Sequence, residues 1–184
     1  MKIPIRQLEA DRLILRFFKN SDLEALLEYR SDPEVMKYQL WQSFTREQAL
    51  DFINKYKSPA SFVPNAWFGL AVELKTTNTL IGDVALKIMG KDYAQAEIGF
   101  NISAKYQKQG FATEAIRCIL DYLFKDLKIH RVYAILDTQN TAAKRLLEKI
   151  GMRREGHFIK NVWCKDHWGD EYHYAILREE WALK

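Results

Sequence analysis

The chain has 184 residues, of which 48% are hydrophobic, and carries Lys+Arg 28 against Asp+Glu 24 for a formal charge of +4. That length and apolar share suit one domain with a sizeable core and exclude wholesale disorder. Interspersed charges of both signs argue against a nucleic-acid binder, and two cysteines are too few for a disulfide framework. No leader-like N-terminus and no apolar run of about 18 residues occur, so a cytoplasmic protein without membrane attachment is expected.

Residues 1–12 form a mixed lead-in, and Leu13–Phe18 reads as a first strand. Asn20 or Ser21 is placed to cap a helix with Leu23, Leu26, Leu27 and Arg30 at helical spacing. Asp32-Pro33 ends it, because the residue before proline disfavours the helical region. An aromatic connection with Tyr38, Trp41 and Phe44 leads to Thr45 and Gln48, spaced as a capping box. The helix it opens runs to about Tyr56, with Ala49, Phe52, Ile53 and Tyr56 on one face. Ser58–Asn65, carrying Pro59 and Pro64, reads as a loop.

Three strands with short connections follow, over Ala66–Glu73, Leu80–Ile88 and Ala94–Ile102, with turns at Thr76–Thr79 and Gly90–Tyr93. Tyr106–Ala115 is a glycine-containing turn opening a helix whose stripe is Ala112, Ala115, Ile116, Ile119, Leu120, Leu123 and Phe124. Arg131–Asp137 is the next strand. Asn140–Ile150 is a further helix, closed by Gly151 at its C-cap. Strand–helix–strand over 94–137 implies a parallel pair joined by a right-handed crossover. Met152–Trp163 and Glu171–Ile176 read as closing strands, with Trp168-Gly169-Asp170 in the turn between them. The whole is expected to be one α/β (α+β) domain spanning 1–184, with a mixed, mostly antiparallel sheet of about seven strands and about four helices.

The turn Gln107-Lys108-Gln109-Gly110-Phe111-Ala112-Thr113 is the most informative stretch. The first amides of a helix lack intrahelical acceptors and the dipole favours an anion there, so the turn suits phosphate. It lacks the glycines of a dinucleotide fingerprint and the Gly-Lys-Ser/Thr of a Walker turn. On these residues alone, a second reading stands beside the first: Gly110 permits close packing of helix on sheet.

Ordered matches along nearly the whole chain decide between them. They are Arg12-Leu13-Ile14-Leu15-Arg16, Ser21-Asp22, Asp32-Pro33-Glu34-Val35, Tyr38, Ala96-Glu97-Ile98-Gly99-Phe100, Gln107–Ala115, Asp137, Asn140, Glu148-Lys149-Ile150-Gly151, Glu155-Gly156, Trp168, Asp170 and Tyr174. On these the chain resembles the GCN5-related N-acetyltransferase (GNAT) superfamily, in the branch of the ribosomal-protein N-terminal acetyltransferases. The resemblance implies a strand pair that splays to admit a thioester and acetyl-CoA as co-substrate, with no metal. It places the pyrophosphate on the amides of Gln107, Lys108, Gln109, Gly110, Phe111, Ala112 and Thr113, and the pantetheine arm along Phe100, Asn101 and Ile102. Asn140 matches a residue that bonds the cofactor arm, though it is equally a sound helix N-cap.

In such a family a primary amine, on a small molecule or a protein N-terminus, attacks the thioester directly in a ternary complex. A base must take its proton, and Glu97, beside the slot, is the candidate, set against its reading as an ordinary strand glutamate. Tyr38, Trp41 and Asp170 fall where the acceptor is expected; Asp170 is also natural turn chemistry. The pattern breaks at the general acid. Relatives carry Tyr at the place held by Leu147, or Ser at the place held by Ala143, and neither residue here donates a proton. Tyr133, Tyr106, water or unassisted departure of the thiolate remain. The missing donor leaves an acyl-CoA-binding module with little turnover as the alternative. Cys164, Asp166, His167, Asp170 and His173 lie close together, but their spacing fits no standard zinc pattern. Monomer and homodimer are both compatible with the sequence.

Overall fold

The computed structural model describes residues 5–89 and 94–183. The N-terminal half contains β1 (Leu8–Glu9), β2 (Leu13–Arg16), α1 (Leu23–Arg30), α2 (Pro33–Met36), α3 (Arg46–Tyr56), β3 (Phe68–Leu74) and β4 (Thr79–Met89). The remainder contains β5 (Gln95–Ile102), α4 (Phe111–Asp121), β6 (Arg131–Asp137), α5 (Thr141–Ile150), β7 (Arg153–Cys164), β8 (His167–Leu177) and α6 (Arg178–Ala182). The strands form one eight-stranded sheet in the order β1-β2-β3-β4-β5-β6-β8-β7. Every neighbouring pair is antiparallel except β5 and β6. The mixed, mostly antiparallel α/β architecture expected from the sequence is present. The short β1, α2 and α6 are additions that brief apolar patterns do not announce.

Helices α1 and α3 pack over β3 and β4, while α4 packs over β1, β2 and β5 and against α5. The central strand β3 is buried along its whole length, as a strand covered on both faces must be. Helix α4 turns Phe111, Ala115, Ile116, Ile119 and Leu120 into the core and continues into a π-helical turn over Tyr122–Asp126. Thr45 and Gln48 form the capping box that starts α3.

Three sequence expectations need correction. Neither Asn20 nor Ser21 caps α1; a 3-10 turn over Asn20–Asp22 precedes it, and the Asp22 carboxylate is taken by the Arg16 guanidinium (2.8 Å) and the Lys19 amide (2.7 Å). Asp32-Pro33 ends one helix but also starts the next: the Asp32 side chain accepts from Glu34 N with Pro33 at the first turn of α2. Trp168, Gly169 and Asp170 lie inside β8, and the hairpin turns instead at Lys165-Asp166, both at positive φ (49° and 65°). The Gly-Asp pair looks like turn chemistry, but cross-strand pairing of Trp168 with Trp163 fixes the register. The expected turn at Gly90–Tyr93 lies outside the described residues.

Two features of the sheet position the site. Among the described residues, strands β5 and β6 pair only at Gln95↔Arg131, Ala96↔Val132 and Glu97↔Tyr133. Beyond that third rung the strands part. On the other side of β5, Gly82 of β4 lets the two strands close tightly: a Cβ there would stand 2.2 Å from the Asn101 carbonyl oxygen.

Candidate active site

The parting of β5 from β6 opens a cavity of ≈ 330 Å³. One wall is Ile98, Gly99, Phe100 and Asn101 of β5; the other is Ala134, Ile135, Leu136 and Asp137 of β6, closed by Asn140, Ala143 and Leu147. Tyr38, Gln39, Leu40, Trp41 and Trp67 form the aromatic side, over Arg30, Asp83 and Ala85.

At the end of β5 the chain enters the glycine turn. Ser103 N–H donates to the Ile81 carbonyl (2.8 Å), Tyr106 N–H donates back to Ser103, and the Gln107 side-chain amide donates to the Ile102 carbonyl (3.0 Å). Lys108 (φ 61°) and Gly110 (φ 84°) are both left-handed, and a left-handed conformation is costly for lysine. Alternation of such residues gathers successive amides into a concave anion-binding nest. The first bond of α4 runs from Glu114 N–H to the Gly110 carbonyl (3.0 Å), so the amides ahead of it have no acceptor in the helix. Arg12, between β1 and β2, reaches across to this turn. Its Nε and its main-chain N–H both donate to the Glu114 carboxylate (2.7 and 2.6 Å), and its Nη1 donates to the Gln109 carbonyl (3.1 Å).

Under the aromatic side lies a buried polar network. Asp83 is only 1% exposed. It accepts both contacts from Arg30 Nη2 (3.0 Å each), the Tyr29 hydroxyl (2.5 Å) and the Asn101 side-chain amide (3.3 Å). Asn101 in turn accepts from Gln39 Nε2 (2.8 Å). The Arg30 guanidinium is stacked among Trp41, Phe44 and Phe52, at 4.7, 5.3 and 4.2 Å from the ring centres. Burial, reinforced by the Asp83 charge, pushes the Tyr29 phenol well up, so it stays a donor. The hairpin tip closes over this side: Lys165 Nζ donates to the carbonyls of Met36 (2.7 Å) and Lys37 (3.0 Å).

Of the residues singled out from sequence, Tyr38, Trp41, Phe100, Asn101 and Asn140 line the cavity. Ile102 is buried at the head of the glycine turn. Asn140 caps α5, its side-chain oxygen accepting from Ala143 N–H at 3.1 Å. Glu97 stands outside the cavity wall, one pleat from Gly99, with Lys87 Nζ at 3.7 Å and the Tyr133 hydroxyl at 3.3 Å. Burial, then the charge of Glu97, pushes the Tyr133 phenol up to about 12, and the same hydroxyl lies 3.2 Å from Met89 Sδ. Tyr106 packs edge-on against Phe111. Asp170 lies away from the cavity. The Lys160 amide (2.8 Å) and then His157 (3.3 Å) hold its carboxyl below the usual range. Ala143 and Leu147 present no hydroxyl to the cavity.

Asp83, Arg30 and Gln39 were not singled out from sequence as site residues. The available signal was Asp83 itself, one acid in the otherwise apolar run Leu80-Ile81-Gly82-Asp83-Val84-Ala85-Leu86, where a charge requires a partner. Among the described residues, no group of three or more His, Cys, Asp or Glu side chains is placed to hold a metal ion, and no helix is long and apolar enough to cross a membrane.

Comparison with known proteins agrees with this geometry. The family model for the acetyltransferase (GNAT) domain matches residues 12–153. The uncharacterized N-acetyltransferase YnaD of Bacillus subtilis (strain 168) is 41% identical over 172 residues, 92% of this chain and 96% of that protein. The crystal structure of a GNAT-family acetyltransferase from Bacillus anthracis superposes with a TM-score of 0.85 at 39% identity, covering 95% of this chain and 99% of the other. Spermidine N-acetyltransferase from Vibrio cholerae, solved in complex with CoA and spermine, superposes with a TM-score of 0.78 at 26% identity, covering 93% and 98%. A glycine turn at a helix start, a strand pair that parts after three rungs, and relatives of this closeness over almost the full length lead to one conclusion: the chain belongs to the GNAT family of acetyl-CoA-dependent N-acetyltransferases.

Proposed function

We propose that the protein transfers the acetyl group of acetyl-CoA to a primary amine by direct attack within a ternary complex. The acceptor is either a small amine or the N-terminus of a protein. The observation that carries this reading is the cavity at the β5–β6 fork: it continues from the strand leading to the glycine turn to the aromatic side under Tyr38, Trp41 and Trp67. Acetyl-CoA supplies the acyl group. The turn Gln107–Thr113 binds its pyrophosphate, Phe100, Asn101 and Ile102 carry the arm, and Asn140 steadies it with the side-chain nitrogen that capping leaves free.

The amine must be neutral to attack. Glu97 receives its proton through water, since the carboxylate lies outside the cavity wall, with Lys87 Nζ 3.7 Å away. No hydroxyl at positions 143 or 147 is available to the departing sulfur. A thiol of pKa about 8.5 is a tolerable leaving group without one. Tyr38 and Trp41 contact the acceptor; Asp170 acts at most on an acceptor long enough to leave the cavity.

Incubation with acetyl-CoA and an amine panel, including spermidine and a peptide with a free N-terminus, tests the reading by thiol release and product mass. Release of CoA with an N-acetylated product is expected for one class. Tight CoA binding without release across the panel would favour the acyl-CoA-binding module, the second reading that Ala143 and Leu147 support.

A further inference from the structure

Glu114 places a carboxylate in the first turn of α4, within about one helical turn of the amides assigned to pyrophosphate. Alone, it would compete with an anionic ligand for the same helix dipole. Arg12 removes that conflict. Two of its N–H groups bond the Glu114 carboxylate (2.7 and 2.6 Å), and a third bonds the carbonyl of Gln109, the residue between left-handed Lys108 and Gly110. Its guanidinium lies 4.4 Å from the centre of the Phe111 ring, at the first position of the helix. A Cβ on Gly110 would come within 3.4 Å of Arg12 Nη2. One side chain from the β1–β2 connection therefore touches the turn before, at and after its glycine.

We propose that Arg12 is the positioning residue of the phosphate turn: it cancels the Glu114 charge and fixes the Gln109 peptide so that the amides present a net positive face to pyrophosphate. This rests on the reading of Gln107–Thr113 as the pyrophosphate site. The planar fork is needed, because an ammonium replaces the charge without making the bonds to Glu114 and Gln109 together. The Arg12 side chain is 47% exposed, so its loss leaves the core unchanged.

The test is calorimetric affinity for CoA and for dephospho-CoA, which keeps the pyrophosphate but lacks the ribose phosphate. Arg12→Gln should weaken both by about tenfold, from an uncompensated charge near the anion. Arg12→Lys should fall between it and the parent. Arg12→Gln/Glu114→Gln should recover most of the loss, an outcome that a purely structural role for Arg12 does not produce. Parent-like affinity in Arg12→Gln overturns the proposal, as does a double variant as weak as the single. A loss seen with CoA but not dephospho-CoA does so too, because Arg12 would then be reading the ribose phosphate. Gly110→Glu separates the two levels. If it still binds CoA, the turn itself is misassigned and this inference falls with it; if it does not bind while Arg12→Gln keeps the parent's affinity, only the role of Arg12 falls.

Discussion

Replacing Asp83 by Asn keeps the shape of the side chain and removes its charge. The structure sets the cost. Asp83 and Arg30 are 1% and 8% exposed at their side chains, and Arg30 Nη2 has both carboxylate oxygens at 3.0 Å. Among the described residues Arg30 Nε has no hydrogen-bond partner, and Asp83 supplies the guanidinium's charge compensation while aromatic rings occupy its faces. Breaking a buried pair by changing one partner costs about 3–5 kcal/mol. A domain of this size loses roughly 2–4 °C in Tm per kcal/mol, so a fall of about 6–20 °C is expected. Urea denaturation followed by tryptophan fluorescence measures the change, with the m-value unchanged if only the native pair is affected. Arg30→Gln/Asp83→Asn should be less unstable than the sum of the single variants by about 1 kcal/mol or more. A single-variant loss below about 1 kcal/mol, or strict additivity, would refute the claim that this pair is buried and coupled.

Two further expectations concern the strands around the fork. Gly82→Ala should cost about 1–3 kcal/mol of stability, read as a lower urea midpoint at unchanged m-value, because the new methyl meets a backbone carbonyl rather than a yielding side chain; a neutral variant would contradict the β4–β5 register. Tyr133 should form phenolate near pH 12 rather than 10, seen as the ultraviolet difference between parent and Tyr133→Phe titrations. Since the folded value lies above the unfolded one, its stabilising effect is complete below about pH 10 and is lost as pH rises through about 12. Glu97→Gln should lower that transition only partway, because burial is the larger cause; an unchanged transition would separate the two groups.

What the sequence disclosed was local. The Thr45–Gln48 capping box, Asn140 as a cap, Gly151 at the end of α5 and the stripe of α4 each depend on residues within a turn or two, and all are present. The parallel pairing of β5 with β6 followed from the strand–helix–strand order. The polar network under the aromatic side did not follow, because Arg30 and Asp83 stand 53 residues apart and Gln39 and Asn101 stand 62 apart. The grip of Arg12 on Glu114 spans 102 residues and leaves no periodic trace. The β7–β8 turn was misplaced for the opposite reason: Gly169-Asp170 carries a strong local signal that cross-strand pairing overrides, while Lys165-Asp166 accepts the left-handed geometry without glycine.

The brief β5–β6 pairing has a consequence for how this sheet meets other chains. A sheet ordinarily has two edges, and exposed edges invite pairing with foreign strands. Here the outer strand β7, twelve residues long, is interrupted at Arg154/Gly156 and Phe158/Val162 and carries Arg153, Arg154, Glu155 and Lys160, devices that discourage an uninvited strand. The fork creates a second pair of edges within the molecule, where Gly99, Phe100, Ala134 and Ile135 carry no charge, Asp137 stands on the β6 wall, and the facing helix offers Ala143 and Leu147. Protection there comes from confinement. The gap is walled by α5 and the aromatic side. The edge at β7 is thus broken and charged, whereas the edges at the fork are enclosed within the molecule.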